Sequence, residues 1–407
     1  MVALNLLLMV AAVALLVPIV VLAVECFAAV MPWRGRTAAG GPARPRIAVL
    51  IPAHDEEPVI GQTLKTVLPQ LGDGDRVIVV ADNCSDGTAR IARETGATVI
   101  ERVDEQRRGK GYAIDFGVRY LEADPPDVVI LVDADCTVGE GALDMLARAA
   151  GGTGRPVQAI YLMELPAGAS VQDRVSAFAF RVKNLVRPMG AARLGMPCFL
   201  TGTGMGFPWA VIRGASVASG NIVEDMQLGI DLTIGGHAPL LCTGARVFGC
   251  LPQHRSAAVT QRTRWEHGHL LTIRTQVPRL LGEAFGHAKM GLLAMALDLC
   301  VPPLSFLVLF WSGLSVAILV AWVLGAGRMA GIAVAGGWVL LAGALLTAWA
   351  GFVRDILPVG ALLGIPLYVL RKVPLYVAFW RRRQGAWVRT SRDGSAADNG
   401  ISGGPTA

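Results

Sequence analysis

Long apolar runs at both ends of the chain frame a middle region in which short apolar and polar stretches alternate. Residues 1–24 carry no charged side chain, and neither do residues 299–327 or 329–353. A helix of about 20 apolar residues is long enough to span the hydrocarbon core of a bilayer. The pattern therefore predicts a transmembrane helix within residues 1–27 and a transmembrane hairpin at about 299–353. A cleaved signal peptide is the weaker alternative for the first segment, because that segment has no basic n-region.

A fourth apolar stretch, residues 356–370, is interrupted by Arg371 and Lys372. At about 1.5 Å per residue, a helix of this length is shorter than the hydrocarbon core is thick. We therefore predict an interfacial segment over residues 356–380, within a membrane region that extends over residues 287–380. Aromatic and basic side chains suited to anchoring at a membrane interface accompany it: Tyr368, Tyr376, Trp380, Arg381, Arg382 and Arg383.

The distribution of basic residues predicts the orientation in the membrane. Arg34, Arg36, Arg44 and Arg46 follow the first apolar helix, and cytoplasmic flanks are enriched in such residues. The sequence thus predicts a multi-pass protein of the cell (inner or plasma) membrane, with its amino terminus outside. The basic and then Gly/Ser/Ala-rich tail, residues 381–407, would be cytoplasmic and either disordered or folded back on the protein.

Residues 46–286 alternate between short apolar runs and helical patterns. Apolar runs at 46–51, 77–80, 97–100 and 129–132 are separated by helix-length stretches. This β-α-β-α order predicts an α/β domain with a mostly parallel sheet and helices on both faces. No G-x-G-x-x-G follows the first strand and no Walker loop is present, which argues against dinucleotide and P-loop folds.

Composition narrows the possible functions. Hydrophobic residues make up 53% of the chain and charged residues 17%, as is typical of a membrane protein. The net charge of +6 is spread along the chain without a basic stripe interleaved with aromatics, so we expect no nucleic-acid partner. The seven cysteines form no C-x-x-C pair, so neither a zinc site nor a disulfide framework is indicated.

The fourth apolar run ends in Asp133 and Asp135. Open α/β sheets bind ligands at the carboxyl ends of their strands. Two carboxylates separated by one residue can both reach a hard divalent cation such as Mg²⁺. Acidic residues at strand ends are also common turn formers, so this pair is a weak signal alone.

Three later segments have both a structural and a functional interpretation. Thr201-Gly202-Thr203-Gly204 is either a plain hairpin or a flexible turn beside a site. Asp225 precedes an apolar-periodic stretch and is either a helix cap or a general base. Gln261-Arg262-Thr263-Arg264-Trp265 is either a basic face near lipid headgroups or a diphosphate clamp with an indole for stacking on a sugar.

Taken together, these segments resemble membrane-bound family 2 glycosyltransferases, close to the cellulose synthase, hyaluronan synthase and poly-N-acetylglucosamine synthase group. The shared motifs occur in the family's order. They are Pro-Ala-His-Asp-Glu-Glu (52–57), Asp-Asn-x-Ser-Asp-Gly-Thr (82–88), Arg-Gly-Lys-Gly (108–111), Asp-Ala-Asp (133–135), Thr-Gly-Thr-Gly (201–204), Val-Glu-Asp (223–225) and Gln-x-x-Arg-Trp (261–265). The family's Asp-Asp-Gly after the second strand is replaced by Ala81-Asp82-Asn83.

The resemblance implies a GT-A fold and a set of site residues. Donor binding would fall to Pro52, Ala53, Glu56, Asp82, Lys110, Asp133, Gln261 and Arg264. Acceptor binding would fall to Trp265, Glu224 and Gly202, and Asp225 would be the catalytic base. Asp135, with Asp133, would bind Mg²⁺ or Mn²⁺.

The resemblance also implies a reaction: inverting transfer from a nucleotide-diphosphate sugar, with UDP-sugars the expected donors, to a growing cell-surface polysaccharide or glycan. Single addition to a lipid-linked acceptor is the alternative, and a non-catalytic scaffold is a third class that the intact acidic residues argue against. The partners would then be donor, acceptor and lipid bilayer, with a homo-oligomer or polysaccharide-export proteins as further candidates. The apolar region after the domain is short for a synthase that conducts its own polymer.

Overall fold

The computed structural model describes residues 2–32, 44–166, 168–218, 223–250 and 255–381. The predictions for Arg34, Arg36 and the tail from residue 382 lie outside the described residues.

The middle of the chain forms one eight-stranded mixed sheet in the order β3-β2-β1-β4-β7-β6-β8-β5. Strands β1–β4 are parallel, whereas β7 runs antiparallel to both β4 and β6. The strands are β1 (Ile47–Ala53), β2 (Arg76–Asp82), β3 (Thr98–Arg102), β4 (Val128–Leu131), β5 (Cys136–Val138), β6 (Val157–Glu164), β7 (Met205–Pro208) and β8 (Leu240–Cys250).

Helices cover both faces of this sheet and extend from its ends into the apolar regions. The helices are α1 (Val2–Val30), α2 (Ile60–Val67), α3 (Thr88–Glu94), α4 (Lys110–Leu121), α5 (Ala142–Thr153), α6 (Val171–Arg181), α7 (Arg187–Arg193), α8 (Trp209–Arg213), α9 (Glu224–Ile234), α10 (Arg255–His287), α11 (Met290–Leu299), α12 (Leu304–Val323), α13 (Arg328–Phe352), α14 (Ile365–Leu370) and α15 (Val373–Arg381). A π-helical turn, Val182–Val186, joins α6 to α7.

The parallel half of the sheet confirms the prediction from the apolar runs. All four residues of β4 are buried, and alternate residues of β1 belong to separate apolar clusters on the two faces of the sheet. Strands covered on both faces read as continuous apolar runs, which is why the sequence pattern identifies them. The antiparallel strand β7 was not predicted, because its four residues Met205–Pro208 give too short a pattern.

Helices α1, α12 and α13 are each long and apolar enough to cross a membrane. Helix α1 packs against α13, and α12 packs against both. Their described buried polar side chains are Glu25 and Ser305, and the remainder of the shared interior is apolar. The three helices therefore form a mostly apolar bundle whose described buried polar side chains lie near the ends that face the sheet domain.

Residues 359–377 make a fourth stretch that is long and apolar enough to span. Its backbone is divided into a 3₁₀ segment, α14 and the start of α15, with a break at Arg371 and Lys372. The interfacial interpretation of this stretch stays a prediction. Tyr368 and Tyr376, expected as interface anchors, are instead buried inside the protein, because Tyr376 donates a hydrogen bond of 2.6 Å to the Glu266 carboxylate and Tyr368 packs into the apolar cluster.

The sheet domain is fastened to the apolar helices by residues 171–193, which comprise α6, the π turn and α7 and are called the docking segment below. Two of its arginines bind carbonyl oxygens at helix ends: Arg181 donates to Phe352 O and Arg193 to Ala28 O, at 3.0 and 3.1 Å. Arg174 donates to Ile356 O in the turn that follows α13, at 2.9 Å. The last carbonyls of a helix have no partner within the helix, and the helix dipole favours a cation there. The carboxyl ends of α1 and α13 therefore lie on the same side, against the sheet domain.

Arg187 lies at the centre of the docking segment. Its Nε donates to Glu25 of α1 at 2.6 Å, and its Nη2 donates to the Asp298 carbonyl at 2.6 Å and forms an ion pair with the Asp298 carboxylate. The side chains of Arg187 and Glu25 are only 8% and 7% exposed. Next to this pair, Gly190 touches the Glu25 backbone so closely that a Cβ would lie 2.0 Å from the carbonyl oxygen.

We predict that Arg187→Met lowers the free energy of unfolding by about 3–5 kcal/mol, because removing one partner leaves a buried charge uncompensated. Thermal unfolding of the full-length protein in a neutral detergent measures the change. Arg119→Met, at a 71% exposed site on α4, is the matched control and should have little effect. Equal melting temperatures for the two variants would contradict a stabilising role for Arg187.

Candidate active site

One cavity of about 420 Å³ opens at the carboxyl ends of the parallel strands. It is lined by all thirteen residues that the sequence singled out. These are Pro52, Ala53, Glu56, Asp82, Lys110, Asp133, Asp135, Gly202, Glu224, Asp225, Gln261, Arg264 and Trp265. Residues up to 213 positions apart in sequence thus meet in one place, which individual motifs could not have indicated.

The ends of β1 and β2 form one wall of the cavity. Asp82 is 6% exposed and accepts a hydrogen bond of 2.6 Å from Arg102 on β3. His54 Nδ1 lies 2.7 Å from the Asp82 carbonyl oxygen, which ties the loop after β1 to the end of β2. The Asp82 carboxylate is therefore held in a fixed position at the cavity edge, where it can accept hydrogen bonds from a bound ligand.

The carboxylates of Asp133 and Asp135 follow β4, as the sequence predicted. Their oxygens and the Cys136 sulfur all lie within 4.8 Å of one another. Burial, then the neighbouring Asp135 charge, raises the pKa of the Cys136 thiol well above its ordinary value, so this sulfur stays protonated. Protein oxygens are the ligands that Mg²⁺ and Mn²⁺ prefer, so the two carboxylates fit a divalent cation better than a thiophilic metal.

Lys110, the first residue of α4, faces the carboxylates across the cavity. Its ammonium forms an ion pair with Asp133 and donates to the Gly202 carbonyl at 2.7 Å. Burial lowers the pKa of Lys110, but the charges of Asp133 and then Glu224 outweigh burial and raise it. Lys110 is therefore a permanently charged group in the centre of the cavity.

Gly202 marks the point at which Lys110 and Asp225 converge. A Cβ at this residue would lie 3.3 Å from the Asp225 carboxylate and 3.4 Å from the Lys110 ammonium, and its φ of +90° favours glycine. Gln158 holds the surrounding loop, because its amide accepts from Thr201 N and donates to Thr203 O, each at 2.9 Å. A side chain at position 202 would have to displace one of the two charged groups.

Glu224 and Asp225 form the first turn of α9. The Asp225 carboxylate accepts a hydrogen bond of 2.8 Å from Met226 N, so part of the predicted capping interaction is present, although Val223 is the N-cap residue. Burial raises the pKa of Asp225, and the nearby Lys110 charge opposes that rise. Burial and the adjacent Asp225 charge raise the pKa of Glu224 to about 7.

The start of α10 supplies the remaining wall. Gln261 is buried, and Arg264 and Trp265 line the cavity one turn later. The Trp265 ring lies 5.8 Å from Phe180, which makes an edge contact with Tyr161 at 5.3 Å. This aromatic corner offers a flat apolar surface beside charged groups, which suits the face of a sugar ring.

Sequence reasoning missed several cavity residues that come from the docking segment, from α10 and from the region of α12 and α14. Lys183, Asn184, Glu266, His269, Ser305 and Lys372 all line the cavity. Glu266 directly follows Trp265 and forms an ion pair with Lys372. Glu266 and His269 lie in a polar stretch, whereas Ser305 and Lys372 lie beside apolar ones, so no shared pattern in the sequence identifies these residues or their partners.

Comparison with known families agrees with this geometry. The family model described as "Glycosyltransferase like family 2" matches residues 45–268, more than half of the chain, from the start of β1 to just beyond Trp265. The chain belongs to glycosyltransferase family 2. Its sheet domain has the GT-A fold, and its candidate active site lies where the family motifs converge.

Individual relatives of this glycosyltransferase match over shorter segments. The probable glycosyltransferase YdaM of Bacillus subtilis is 40% identical over 101 residues, 23% of each chain. The 4,4'-diaponeurosporenoate glycosyltransferase of Staphylococcus aureus is 38% identical over 94 residues, 22% of this chain and 24% of the relative. The chain thus aligns with only about a quarter of the length of these relatives.

Among solved structures, the mannosyltransferase PcManGT from Pyrobaculum calidifontis, in complex with GDP-Man and Mn²⁺, is similar over 93% of this chain and 100% of that chain. The TM-score is 0.53 and the sequence identity is 16%, so the likeness concerns the fold.

The raised pKa of Glu224 predicts a pH-dependent stability. A carboxyl with a pKa of about 7 in the folded protein and 4.5 in the unfolded chain binds its proton more tightly when the protein is folded. Its contribution to stability is therefore fully present below pH 4.5 and is lost as the pH rises through 7. Because each pKa unit corresponds to about 1.4 kcal/mol, Glu224→Gln should be more stable than wild type by a few kcal/mol at pH 8.

Melting temperatures of the ligand-free protein at pH 5 and pH 8 test this expectation. The advantage of Glu224→Gln should shrink at pH 5, and the exposed control Glu122→Gln should show no such change. An advantage that is independent of pH would mean that the pKa of Glu224 is the same in the folded protein and in the unfolded chain, which contradicts the raised pKa.

Proposed function

We propose that this glycosyltransferase moves a single sugar from a nucleotide-diphosphate donor to an acceptor embedded in the membrane. The observation that carries the proposal is the course of the cavity. From the carboxylates it continues between the sheet domain and the apolar helices, where it is lined by Pro302, Pro303, Leu304 and Ser305 at the start of α12 and by Tyr368. An amphiphilic acceptor could place its head beside Asp225 while its apolar tail lies against these helices.

The donor would occupy the opposite end. Pro52, Ala53, Glu56 and Asp82 would hold the base and ribose, since they follow β1 and β2 at the cavity edge. Lys110 and Arg264 would neutralise the diphosphate, Gln261 would donate a hydrogen bond to it, and Asp133 would contact the sugar. A Mg²⁺ or Mn²⁺ ion held by Asp135 and Asp133 would supply further charge neutralisation for the leaving diphosphate.

Asp225 is the proposed general base. A sugar or lipid hydroxyl is a poor nucleophile near neutral pH, and a positioned base typically contributes a factor of about 10²–10⁴. Lys110 beside Asp225 favours the ionised carboxylate, whereas burial raises its pKa and so makes it a stronger base. Direct attack by the deprotonated acceptor displaces the diphosphate in one step and inverts the anomeric centre.

A second candidate is synthesis of a polysaccharide, as in the cellulose and hyaluronan synthase group. The aromatic corner of Trp265, Phe180 and Tyr161 favours it, because a growing glycan could stack there. The apolar interior shared by α1, α12 and α13 argues against conduction of a polymer through the described helices of one chain. Product analysis separates the candidates: a ladder of masses for polymerisation, one added sugar for single transfer.

We predict that membranes containing the protein, incubated with a panel of labelled nucleotide sugars, transfer label from one donor into the organic-solvent-extractable lipid fraction. Asp225→Asn keeps the shape of the side chain and removes its basicity, so transfer should fall by about 10²–10⁴ while donor affinity stays near wild type. Asp231→Asn, on the exposed side of the same helix, is the control and should transfer normally. Normal transfer by Asp225→Asn would leave it only a structural role, and label confined to water-soluble polymer would favour the second candidate.

We also predict dependence on Mg²⁺ or Mn²⁺. Excess chelator should abolish transfer, and Asp135→Asn should do so at every metal concentration while the protein remains folded and in the membrane. Asp144→Asn on α5, which lies outside the cavity, serves as the control. Full activity in chelator, or in the Asp135 variant, would exclude the metal site.

The proposed orientation places the amino terminus outside, and the sheet domain and the carboxyl terminus in the cytoplasm. It is supported by the carboxyl ends of α1 and α13, which both contact the docking segment. Fusions of alkaline phosphatase, which is active only outside the cytoplasm, should be active before Val2 and inactive after Trp387. Activity after Trp387 would show that residues 359–377 cross the membrane.

A further inference from the structure

The π-helical turn of the docking segment exposes two polar side chains to the cavity. Val182 and Val186 of this turn pack into the apolar cluster formed with α1 and α13, whereas Lys183 and Asn184 line the cavity. A π turn widens the helix by one residue and is found mostly at functional sites, because it is less stable than regular α-helix. The turn therefore presents an ammonium and an amide side by side.

Among the residues that the structure describes, neither of these two side chains has a hydrogen-bond or ion-pair partner. Asn184 is nevertheless only 5% exposed. Lys183 is exposed where it lines the cavity, so both side chains have donors available to a molecule that occupies this space. The amide NH₂ and the ammonium are both donors, so together they match an oxygen-rich acceptor of hydrogen bonds.

The other cations at this end of the cavity are already paired. Arg187 binds Glu25 and Asp298, and Lys372 binds Glu266. Among the described residues, Lys183 thus forms no direct ion pair where the cavity meets the apolar helices, although the charges of Asp225, Asp298 and Glu266 act on it. Burial lowers its pKa, and the charge of Asp225 opposes that effect, so Lys183 and the proposed base belong to the same electrostatic environment.

We propose that Lys183 and Asn184 bind an anionic phosphate or carboxylate group of the membrane acceptor, so that the preferred substrate is an amphiphile whose head carries both an anionic group and a hydroxyl. This inference rests on the proposed function and specifies its acceptor. The anionic oxygens accept hydrogen bonds from the ammonium and the amide, while the hydroxyl of the same head faces Asp225. Binding at this point changes no step of the transfer reaction and determines which acceptor enters.

The test measures binding of radiolabelled dodecyl phosphate to the full-length protein in phosphatidylcholine nanodiscs. Because hydrogen bonds to charged groups contribute about 1.5–3 kcal/mol, and 1.4 kcal/mol is tenfold in affinity, Lys183→Met should weaken binding at least tenfold. Lys183→Arg should retain most of the affinity, and Asn184→Ala should lose less than Lys183→Met. Lys65→Met, an exposed site on α2 away from the cavity, should bind like wild type.

Three competition arms define the ligand class. Sodium dodecanoate should displace the probe, n-dodecanol should displace it poorly, and inorganic phosphate should require a far higher concentration. Equal displacement by dodecanol, or unchanged probe binding in Lys183→Met, would overturn the proposal. If inorganic phosphate displaced the probe as effectively as the amphiphile does, the anion alone would account for binding. This outcome also contradicts an amphiphilic ligand.

Two further readouts separate this inference from the proposed function. Nucleotide affinity should be unchanged in Lys183→Met, and a parallel loss would assign Lys183 to the donor site instead. Anion-exchange fractionation of the labelled lipid should place the acceptor in the anionic fraction. A neutral labelled lipid would refute the anionic acceptor and leave the proposed transfer to lipid standing. If no donor gave a labelled lipid, the proposed function would be refuted, even if dodecyl phosphate binding depends on Lys183.

Discussion

The buried ion pairs of Arg187 are the interaction on which the rest of the molecule depends. One guanidinium holds Glu25 of α1, Asp298 of α11 and its own docking segment together. Such a cluster contributes little net stability compared with an apolar replacement, but it strongly disfavours any arrangement that separates its members. Its consequence is geometric, because it fixes the position of α11, and hence of the start of α12, relative to the carboxylates of the candidate site.

That geometry explains why the active site is enclosed. The sheet alone supplies carboxylates at the ends of parallel strands, and the docked helices close the cavity over them. The side chains of Lys110 and Asp133 are only 22% and 29% exposed, and charges in such positions interact more strongly than at a fully solvated surface, so Lys110 can organise Asp133 and the Gly202 carbonyl at once. The sheet domain thus supplies the carboxylates of the candidate site, whereas the docked apolar helices supply its enclosure.

The sequence predicted those parts of the structure that are encoded locally. Apolar runs identified β1, β2 and β4, and the family motifs identified Asp82, Asp133, Asp135, Glu224 and Asp225, although not the cavity carboxylates of Glu266 and Asp298. It could not predict the docking segment, because the apolar face of Val175, Phe178 and Val182 looks like that of any surface helix and its partners are remote in sequence. The wrong prediction for Tyr376 has the same origin. An aromatic residue beside basic ones suggests a membrane interface, but Tyr376 binds the carboxylate of Glu266, which is 110 residues away in the sequence.

The arginine contacts of the docking segment also bear on biosynthesis. The segment is translated after Glu25 but long before Asp298, Phe352 and Ile356, whose side chains or carbonyls it binds. On the ribosome, the sheet can form while Arg174 and Arg181 still lack their partners. The last stage of folding must therefore await insertion of α13, so newly made chains halted before residue 352 should be the form most readily captured by chaperones and proteases.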